Sequence, residues 1–180
     1  MKPIKYLDMF AGVGGFRTGL TNAGDFFVPV GWCEIDKYAQ KAYRALYETE
    51  GEYFCDDATQ INPNDLPDID LICAGFPCQP FSVSGRRLGF ADTRGTLFHE
   101  IVRVAEARRP AYLLLENVPG LLNHERGGTF RTILSEIHEL GYASSSLLQA
   151  HSSSLNLHRK PLPMTSCTWL FPSRRSVTRC

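Results

Sequence analysis

Short apolar runs alternate with helically spaced apolar residues over the first 143 positions of this chain. Runs of four to seven mostly apolar residues predict strands, at residues 5–10, 28–34, 52–55, 70–74 and 111–116. Between them, apolar residues at helical spacing predict helices, at residues 16–23, 39–47, 97–105 and 130–140. Such an alternation is typical of an α/β fold with a mostly parallel sheet.

A glycine-rich turn, Phe10-Ala11-Gly12-Val13-Gly14-Gly15, follows the first predicted strand. Glycines let the backbone turn sharply and approach a ligand closely. Glu34 ends the second predicted strand, about 20 residues after the glycine turn. Nucleotide-binding α/β folds have an acidic residue at this position that hydrogen-bonds a ribose hydroxyl. A glycine turn alone also suits plain packing of a helix on a strand, but the turn and Glu34 together predict a nucleotide-like cofactor site. Asp57 follows the third strand and is a candidate either for an adenine amino group or for a turn cap.

Polar residues follow two further apolar strands. The run at residues 69–76 leads into Pro77-Cys78-Gln79, and the run at residues 111–115 leads into Glu116-Asn117-Val118. Ligands bind at the carboxyl ends of strands in open α/β sheets, so Cys78 and Glu116 are candidates for a catalytic thiol and a carboxylate partner. The alternatives are a buried structural cysteine, a common role for that residue type, and a helix or turn cap. The loop after Cys78 is polar and basic. It could lower the pKa of the Cys78 thiol or bind a phosphate group.

The pattern breaks down after residue 143. Residues 144–180 contain nine serines, no acidic residue and no stable period, so we expect an irregular, basic, Ser-rich tail that is not the natural continuation of the domain at residues 1–143. All 19 acidic residues lie before residue 144, together with 14 of the 19 basic residues, so residues 1–143 carry a net charge of −5. A negative body is a poor DNA-binding surface on its own.

Composition narrows the class of protein further. The chain has 180 residues and is 43% hydrophobic, which suits a globular domain with a real core. No apolar run is long enough for a membrane span and no signal-peptide layout is present, so the cytoplasm is the expected location. Six cysteines without a CxxC pair argue against a zinc site or a disulfide framework, so no metal is expected. Cys33, Cys55 and Cys73 are expected to be reduced core residues.

The motifs, in this order and spacing, resemble the N-terminal part of the cytosine-5 DNA methyltransferase family. The resemblance covers about residues 5–143. It rests on Asp8-Met9-Phe10-Ala11-Gly12-Val13-Gly14-Gly15, Glu34-Ile35-Asp36, Asp57-Ala58-Thr59, Gly75-Phe76-Pro77-Cys78-Gln79-Pro80-Phe81-Ser82, Arg94-Gly95-Thr96-Leu97-Phe98 and Glu116-Asn117-Val118. It implies a Rossmann-like methyltransferase fold that uses S-adenosylmethionine, with a sheet incomplete at its C-terminal edge.

The same resemblance implies roles for individual residues. Cys78 would attack C6 of a cytosine flipped out of double-stranded DNA, and Glu116 would hold N3 and the exocyclic amine. Trp32 or Ile35 would lie near the adenine of the cofactor. The implied cofactor-binding residues are Phe10, Gly12, Gly14, Gly15, Glu34, Ile35, Asp57 and Ala58. The implied substrate-binding residues are Pro77, Gln79, Ser82, Asn117 and Val118.

Parts of the family pattern have no counterpart in this sequence. An arginine block that helps bind the flipped base, the target-recognition region and the last two strands are not found, so the strand ending in Glu116 is expected to be a bare apolar edge. We therefore expect the chain alone to bind S-adenosylmethionine weakly or not at all. A truncated methyltransferase is favoured over one subunit of a split enzyme completed by a C-terminal polypeptide, and over a non-catalytic cofactor-binding module. An RNA-cytosine methyltransferase of the same fold stays open.

Overall fold

The computed structural model describes residues 2–77 and 97–143, and the backbone of two further strands at residues 145–147 and 167–172. The strands of this part are β1 (Ile4–Met9), β2 (Phe27–Cys33), β3 (Tyr53–Cys55), β4 (Leu71–Gly75), β5 (Tyr112–Asn117), β6 (Ser145–Leu147) and β7 (Cys167–Pro172). Its α-helices are α1 (Gly15–Ala23), α2 (Lys37–Leu46), α3 (Leu97–Arg108) and α4 (Gly128–Glu139).

One sheet contains these strands in the order β3-β2-β1-β4-β5-β7-β6. The pairings among β1 to β5 are all parallel, whereas β7 pairs antiparallel with both β5 and β6. The chain first runs outward from β1 to β3 and then returns to the other side of β1 with β4. This reversal places a crevice between the carboxyl ends of β1 and β4, where ligands bind in open α/β sheets. The expected α/β fold with a mostly parallel sheet is confirmed.

Helices lie on both faces of the sheet. On one face, Ile101 of α3 and Ile133 of α4 join a buried cluster with Leu7, Ile72 and Leu113 of the central strands. On the opposite face, Leu20 of α1 packs with Tyr6, Leu71 and Cys73, and Tyr43 of α2 packs with Trp32. Parallel strands are normally buried on both faces, which explains why their sequences read as continuous apolar runs.

Local sequence signals match the observed boundaries. Each of the five expected strands is found with bounds that differ by at most one residue, and the four helices differ by at most three. Gly24 caps α1 at a φ of 152°, and its amide donates to the carbonyl of Leu20. Gly141 follows α4 at a φ of 90°, which glycine adopts readily. The two glycine stops are therefore confirmed.

The expectation of a bare edge beyond β5 is wrong. All six residues of β5 pair with β7, from Tyr112 opposite Pro172 to Asn117 opposite Cys167. The irregular character expected for residues 144–180 is likewise wrong for β6 and β7, which lie within that segment. The physical reason is that a buried strand must satisfy its backbone hydrogen bonds, and the residues of β7 do so from far along the chain. Whether this segment is the natural continuation of the domain stays a prediction.

The described cysteines behave as core residues. Cys33 and Cys73 are buried and unpaired, and burial raises the pKa of each thiol above its ordinary value. Cys55 is only half-buried, and its thiol lies 3.1 Å from the carbonyl oxygen of Asp57. A raised pKa keeps Cys33 and Cys73 in the unreactive thiol form.

Among the helices of the described ranges, none has the length and apolar character to cross a membrane.

Candidate cofactor and catalytic site

The turn between β1 and α1 has an unusual backbone. Phe10, Gly12 and Gly14 have positive φ values of 56°, 54° and 92°. Glycine adopts such values at little cost, but phenylalanine does not. A non-glycine residue in this region persists only where surrounding structure holds it, and such residues cluster at functional sites. The turn after the carboxyl end of β1 therefore has a backbone conformation that its glycines adopt readily and that contacts with neighbouring residues must stabilise at Phe10.

Glu34 joins this turn to the end of β2. One carboxylate oxygen, Oε2, accepts a hydrogen bond from the Gly12 amide at 2.7 Å. The other, Oε1, accepts from the Asp36 amide at 2.8 Å, and Asp36 in turn caps α2 through the amides of Tyr38 and Ala39. The carboxylate thus fixes two loops that border the crevice. The glycine turn and Glu34, which together predict a cofactor site, are thus in direct contact.

Exposed apolar side chains flank the Glu34 carboxylate. Ile35 is 70% exposed and Val13 is 58% exposed, although neither is polar. Trp32, by contrast, is 1% exposed, with its ring stacked on Tyr43 at a centroid distance of 4.4 Å. Of the two residues expected near an adenine ring, Trp32 is therefore covered by α2. Ile35 is the one whose side chain a ligand could contact.

Asp57 caps a short 3₁₀ helix at Ala58–Gln60. Its Oδ1 accepts hydrogen bonds from the Thr59 amide at 2.9 Å and from the Thr59 hydroxyl at 2.8 Å. Ala58 is buried. The capping role anticipated from the sequence is observed, and a cap of this kind holds the carboxyl group in one orientation at the carboxyl end of β3.

Glu116 lies at the carboxyl end of β5, directly opposite Gly75 of β4. A Cβ atom built on Gly75 would lie 3.3 Å from Glu116 Oε2 and 3.8 Å from the Phe16 ring. Any side chain at position 75 would therefore crowd the carboxylate. Glycine at this position leaves room for the Glu116 side chain between β4 and α1, at the edge of the crevice.

The segment that leads to the candidate nucleophile is only partly described. β4 ends at Gly75, and the exposed Pro77 is the last residue before a break in the description. Cys78, Gln79 and Ser82 lie outside the described residues, so their predicted roles stay predictions.

Asn117 connects the ends of β4 and β5. Its side chain is 2% exposed, and its Nδ2 donates a hydrogen bond to the carbonyl oxygen of Phe76 at 2.6 Å. Its Oδ1 accepts from the amide of Val118 at 2.9 Å. Both polar ends of a buried amide are thereby satisfied. Asn117 fixes the backbone just before Pro77, and the 49% exposed Val118 faces outward beside it.

A buried polar network supports the glycine turn from below, and sequence analysis did not identify it. Arg17 of α1 donates a hydrogen bond of 2.8 Å to Glu52 Oε2, and its second terminal nitrogen forms an ion pair of 2.8 Å with Glu52 Oε1. Its guanidinium also donates to the carbonyl of Glu48 at 2.6 Å and lies 4.9 Å from the centre of the Tyr47 ring. The Tyr47 hydroxyl donates to the carbonyl of Gly14 at 2.9 Å. The network therefore links the start of α1 to the end of α2 and to β3.

Asp8 lies at the base of the same network and is fully buried in β1. Its Oδ2 accepts a hydrogen bond of 3.3 Å from Tyr43, and its Oδ1 has no hydrogen-bond partner among the described residues. Burial raises the pKa of the Asp8 carboxyl to about 8, although the Tyr43 hydrogen bond and the charge of Arg17 oppose the shift. Its place in the Asp8–Gly15 motif was the signal in the sequence, but the local pattern could not show that burial raises the pKa of this carboxyl.

The sheet order, the glycine turn and the acid at the end of β2 define a Rossmann-like methyltransferase fold. Solved structures support this class. A DNMT2 variant from Spodoptera frugiperda superposes with a TM-score of 0.71 at 22% identity, over 97% of this chain and 51% of that one. Dnmt2 from S. pombe gives a TM-score of 0.66 at 21% identity, over 96% and 50% of the two chains. At this identity the likeness shows the fold alone.

Sequence comparison gives the family. Residues 4–156 match the family described as C-5 cytosine-specific DNA methylase, and the chain belongs to that family. It is 49% identical over 138 residues to the Type II methyltransferase M.NlaX of Neisseria lactamica, covering 77% of this chain and 44% of the relative. It is 47% identical over 142 residues to M.HaeII of Haemophilus aegyptius, covering 79% and 43%. The chain therefore spans less than half the length of these curated relatives.

Proposed function

We propose that this chain is the cofactor-binding and catalytic part of a DNA (cytosine-5-)-methyltransferase. The observation that supports the proposal most directly is the position of Glu116 opposite Gly75 on β4, the strand that leads to Cys78. The same crevice is bordered by the glycine turn and Glu34. A carboxylate, a nucleophile and a cofactor cradle would thus share one edge of the sheet.

The residues of the crevice fit S-adenosylmethionine. At Gly12 a Cβ atom would meet nothing within 4 Å, so the backbone there is open to close approach by a ligand. Glu34 would hold the ribose hydroxyls, with Ile35 against the adenine and Asp57 on its amino group. The start of α1 has no side-chain cap at Gly14 and no acid in its first turn, so its amides suit the methionine carboxylate. Phe10, Gly15 and Ala58 would complete the cradle. The bound cofactor supplies an electrophilic methyl group.

The chain's own residues would carry the remaining chemistry. The Cys78 thiolate would add to C6 of a flipped cytosine, which makes C5 nucleophilic. Glu116 would share a proton with N3 and so stabilise the electrons that enter the ring. After C5 has taken up the methyl group, loss of the C5 proton would allow the thiolate to leave and restore the aromatic ring. Pro77, Gln79, Ser82, Asn117 and Val118 would position the base.

Double-stranded DNA is the proposed substrate, since a cytosine in the stack must be extruded before C5 can react. A cellular DNA substrate places the proposed activity in the cytoplasm. Residues 1–143 carry a net charge of −5, so we infer that sequence corresponding to the remaining length of the relatives supplies most of the DNA-binding surface.

Covalent trapping tests the proposal. The chain is combined with the segment of M.NlaX that lies beyond its match to this chain. The mixture is then incubated with S-adenosylmethionine and a DNA pool containing 5-fluorocytosine, which blocks release of the thiolate. We expect a denaturation-resistant adduct with the unaltered chain and none with Cys78→Ser. Cys55→Ser is the control, because a serine hydroxyl can keep the contact with Asp57. An adduct that survives Cys78→Ser would show that the nucleophile is another residue.

A further inference from the structure

The hydroxyl of Tyr47 contacts the glycine turn from the α2 side. Tyr47 directly follows α2, and its hydroxyl donates a hydrogen bond of 2.9 Å to the carbonyl oxygen of Gly14. The same oxygen accepts a hydrogen bond of 2.9 Å from the Thr18 amide. A backbone carbonyl oxygen has two lone pairs, so both acceptor positions of Gly14 are occupied. The two hydrogen bonds together fix the direction of this carbonyl group.

Neighbouring side chains hold Tyr47 in place. The Arg17 guanidinium lies 4.9 Å from the centre of its ring, and the Tyr43 ring packs edge-on against it at a centroid distance of 4.9 Å. The Thr18 hydroxyl is in hydrogen-bond contact with the Tyr47 hydroxyl. Because Tyr47 gives its one hydroxyl proton to Gly14, the Thr18 hydroxyl is the donor in that contact. The Tyr47 hydroxyl therefore has a defined position and a defined donor direction.

The peptide between Gly14 and Gly15 is the one glycine–glycine link of the turn at residues 10–15. Neither flanking residue has a Cβ atom, so steric contacts alone leave this peptide plane free to rotate. The carbonyl oxygen of Gly14 and the amide hydrogen of Gly15 lie in one plane and point in opposite directions. A hydrogen bond that fixes the carbonyl group therefore also fixes the direction of the Gly15 amide, and the Tyr47 hydroxyl supplies such a bond.

The two sides of this peptide differ in how closely they are packed. Gly14 is buried, and a Cβ atom there would overlap the Tyr47 ring. Gly15 is exposed, and a Cβ atom there would meet nothing within 4 Å. Gly15 is also the first residue of α1, which has no side-chain cap, and the first amides of a helix have no acceptor within the helix. Tyr47 therefore supports the turn on one side, while the Gly15 amide lies on the open side.

We propose that Tyr47 is a positioning residue of the cofactor site, whose hydroxyl holds the Gly14 carbonyl so that the Gly15 amide can donate to the carboxylate of S-adenosylmethionine. This role rests on the proposed function, which puts the cofactor at the glycine turn. Glu34 and Asp57 would hold the ribose and the adenine at the other end of the ligand. Tyr47 would therefore affect binding of the amino-acid end and leave binding of the nucleoside end unchanged.

A comparison of two ligands tests this role. S-adenosylhomocysteine has the amino-acid end, whereas 5′-methylthioadenosine keeps the adenine, the ribose and the thioether but lacks the amino-acid end. Titration calorimetry measures both affinities for the chain combined with the M.NlaX segment beyond its match. Tyr47→Phe keeps the ring and loses only the hydroxyl. We expect it to bind S-adenosylhomocysteine about fivefold to tenfold more weakly, as for loss of one hydrogen bond, and to bind 5′-methylthioadenosine with unchanged affinity.

Tyr112→Phe is the matched control. It removes a tyrosine hydroxyl at the start of β5, at the end of that strand opposite Glu116, and it should leave both affinities unchanged. Urea unfolding checks that both variants fold. A purely structural role for Tyr47 would loosen the whole turn, including the Gly12 amide that Glu34 binds, so both ligands would then lose affinity alike.

A second measurement needs no ligand. In the chain labelled with carbonyl-¹³C glycine, Tyr47→Phe should shift the Gly14 carbonyl resonance, because that oxygen loses one of its two hydrogen bonds. The resonance of Gly141, which follows α4, should not move. An unmoved Gly14 resonance would show that the hydrogen bond is not formed in solution and would overturn the proposal.

The binding results separate this role from the proposed function. Unchanged affinity of Tyr47→Phe for S-adenosylhomocysteine, or an equal loss for both ligands, would overturn the positioning role and leave the proposed function standing. If the unaltered chain with the M.NlaX segment binds neither ligand, the proposed cofactor site is wrong, and the role of Tyr47 is overturned with it.

Discussion

The carboxylate of Glu34 accepts a hydrogen bond from the amide of Gly12 at 2.7 Å, across 22 residues of sequence. This contact joins the turn after β1 to the end of β2. The second oxygen of Glu34 accepts from the Asp36 amide at 2.8 Å. One side chain therefore organises two loops and would also hold the ribose of the cofactor.

Substitution of Glu34 should weaken cofactor binding. Glu34→Gln can keep only one of the two amide contacts, because its amide nitrogen cannot accept a hydrogen bond. Hydrogen bonds to a charged group contribute about 1.5–3 kcal/mol, so we expect affinity for S-adenosylmethionine to fall by about tenfold to a hundredfold. Titration calorimetry on the chain combined with the M.NlaX segment beyond its match measures this. Glu106→Gln, at an exposed position of α3, should bind like the unaltered chain. Equal affinity for the Glu34 variant would remove Glu34 from the cofactor site.

The two glycines of the turn should respond differently to alanine. Gly14 has a φ of 92°, and a Cβ there would overlap the Tyr47 ring, whereas a Cβ at Gly12, whose φ is 54°, would meet nothing within 4 Å. Gly12→Ala should cost about 1–2 kcal/mol of unfolding free energy, from left-handed backbone strain alone. Gly14→Ala should cost more, because the ring must also move. Urea unfolding compares them, and Gly14→Ala combined with Tyr47→Leu should recover the steric part. Equal costs for the two single variants would contradict the assigned contact with Tyr47.

The Arg17–Glu52 pair should matter for stability far more than an exposed pair. Both side chains are about nine-tenths buried, and removing one partner leaves an uncompensated charge in the interior. Such losses cost about 3–5 kcal/mol, so we expect Arg17→Met to lower the free energy of urea unfolding by that amount. Asp68→Asn breaks the Arg108–Asp68 contact, where the carboxylate is 92% exposed, and should cost less than about 1 kcal/mol. Similar costs at both sites would mean that water reaches the Arg17 pair.

Asp8 should make stability fall as pH rises toward 8. The carboxyl ionises near its usual pKa of 3.8 in the unfolded chain, but burial raises its pKa to about 8 in the folded chain. Unfolding between these values releases a proton, so stability present below pH 3.8 is lost progressively until about pH 8. The slope from one such group reaches about 1.4 kcal/mol per pH unit.

Asp8→Asn tests this slope, because asparagine keeps the shape and can still accept the Tyr43 hydrogen bond. Urea unfolding at pH 5, 6.5 and 8 should show the variant gaining stability over the unaltered chain as pH increases. Asp25→Asn, at an exposed position before β2, should leave the slope unchanged. A constant difference between the Asp8 variant and the unaltered chain would mean that Asp8 is ionised in the fold throughout this range.

Local sequence signals were sufficient to predict the helices and strands and to assign the motifs to strand ends. Apolar runs, helical spacing and stop glycines such as Gly24 are short-range features, and short-range backbone preferences determine where an element begins and ends. The glycine turn, Glu34 and Glu116 could be assigned to strand ends for the same reason. The parallel order of the strands then brings those ends to one edge of the sheet.

The sequence alone determined the α/β fold and the family, and it provided the candidate residues for binding the cofactor and the base. Only the tertiary structure decided that Trp32 is covered by α2, that Arg17 and Glu52 brace the glycine turn, that Asp8 is a buried acid with a raised pKa, and that β7 pairs with β5. The Arg17–Glu52, Asp8–Tyr43 and β5–β7 contacts join residues 35 or more positions apart, and Trp32 is covered by the packing of α2 against β2. No local period encodes such contacts, because packing selects them among many partners that the same pattern would allow.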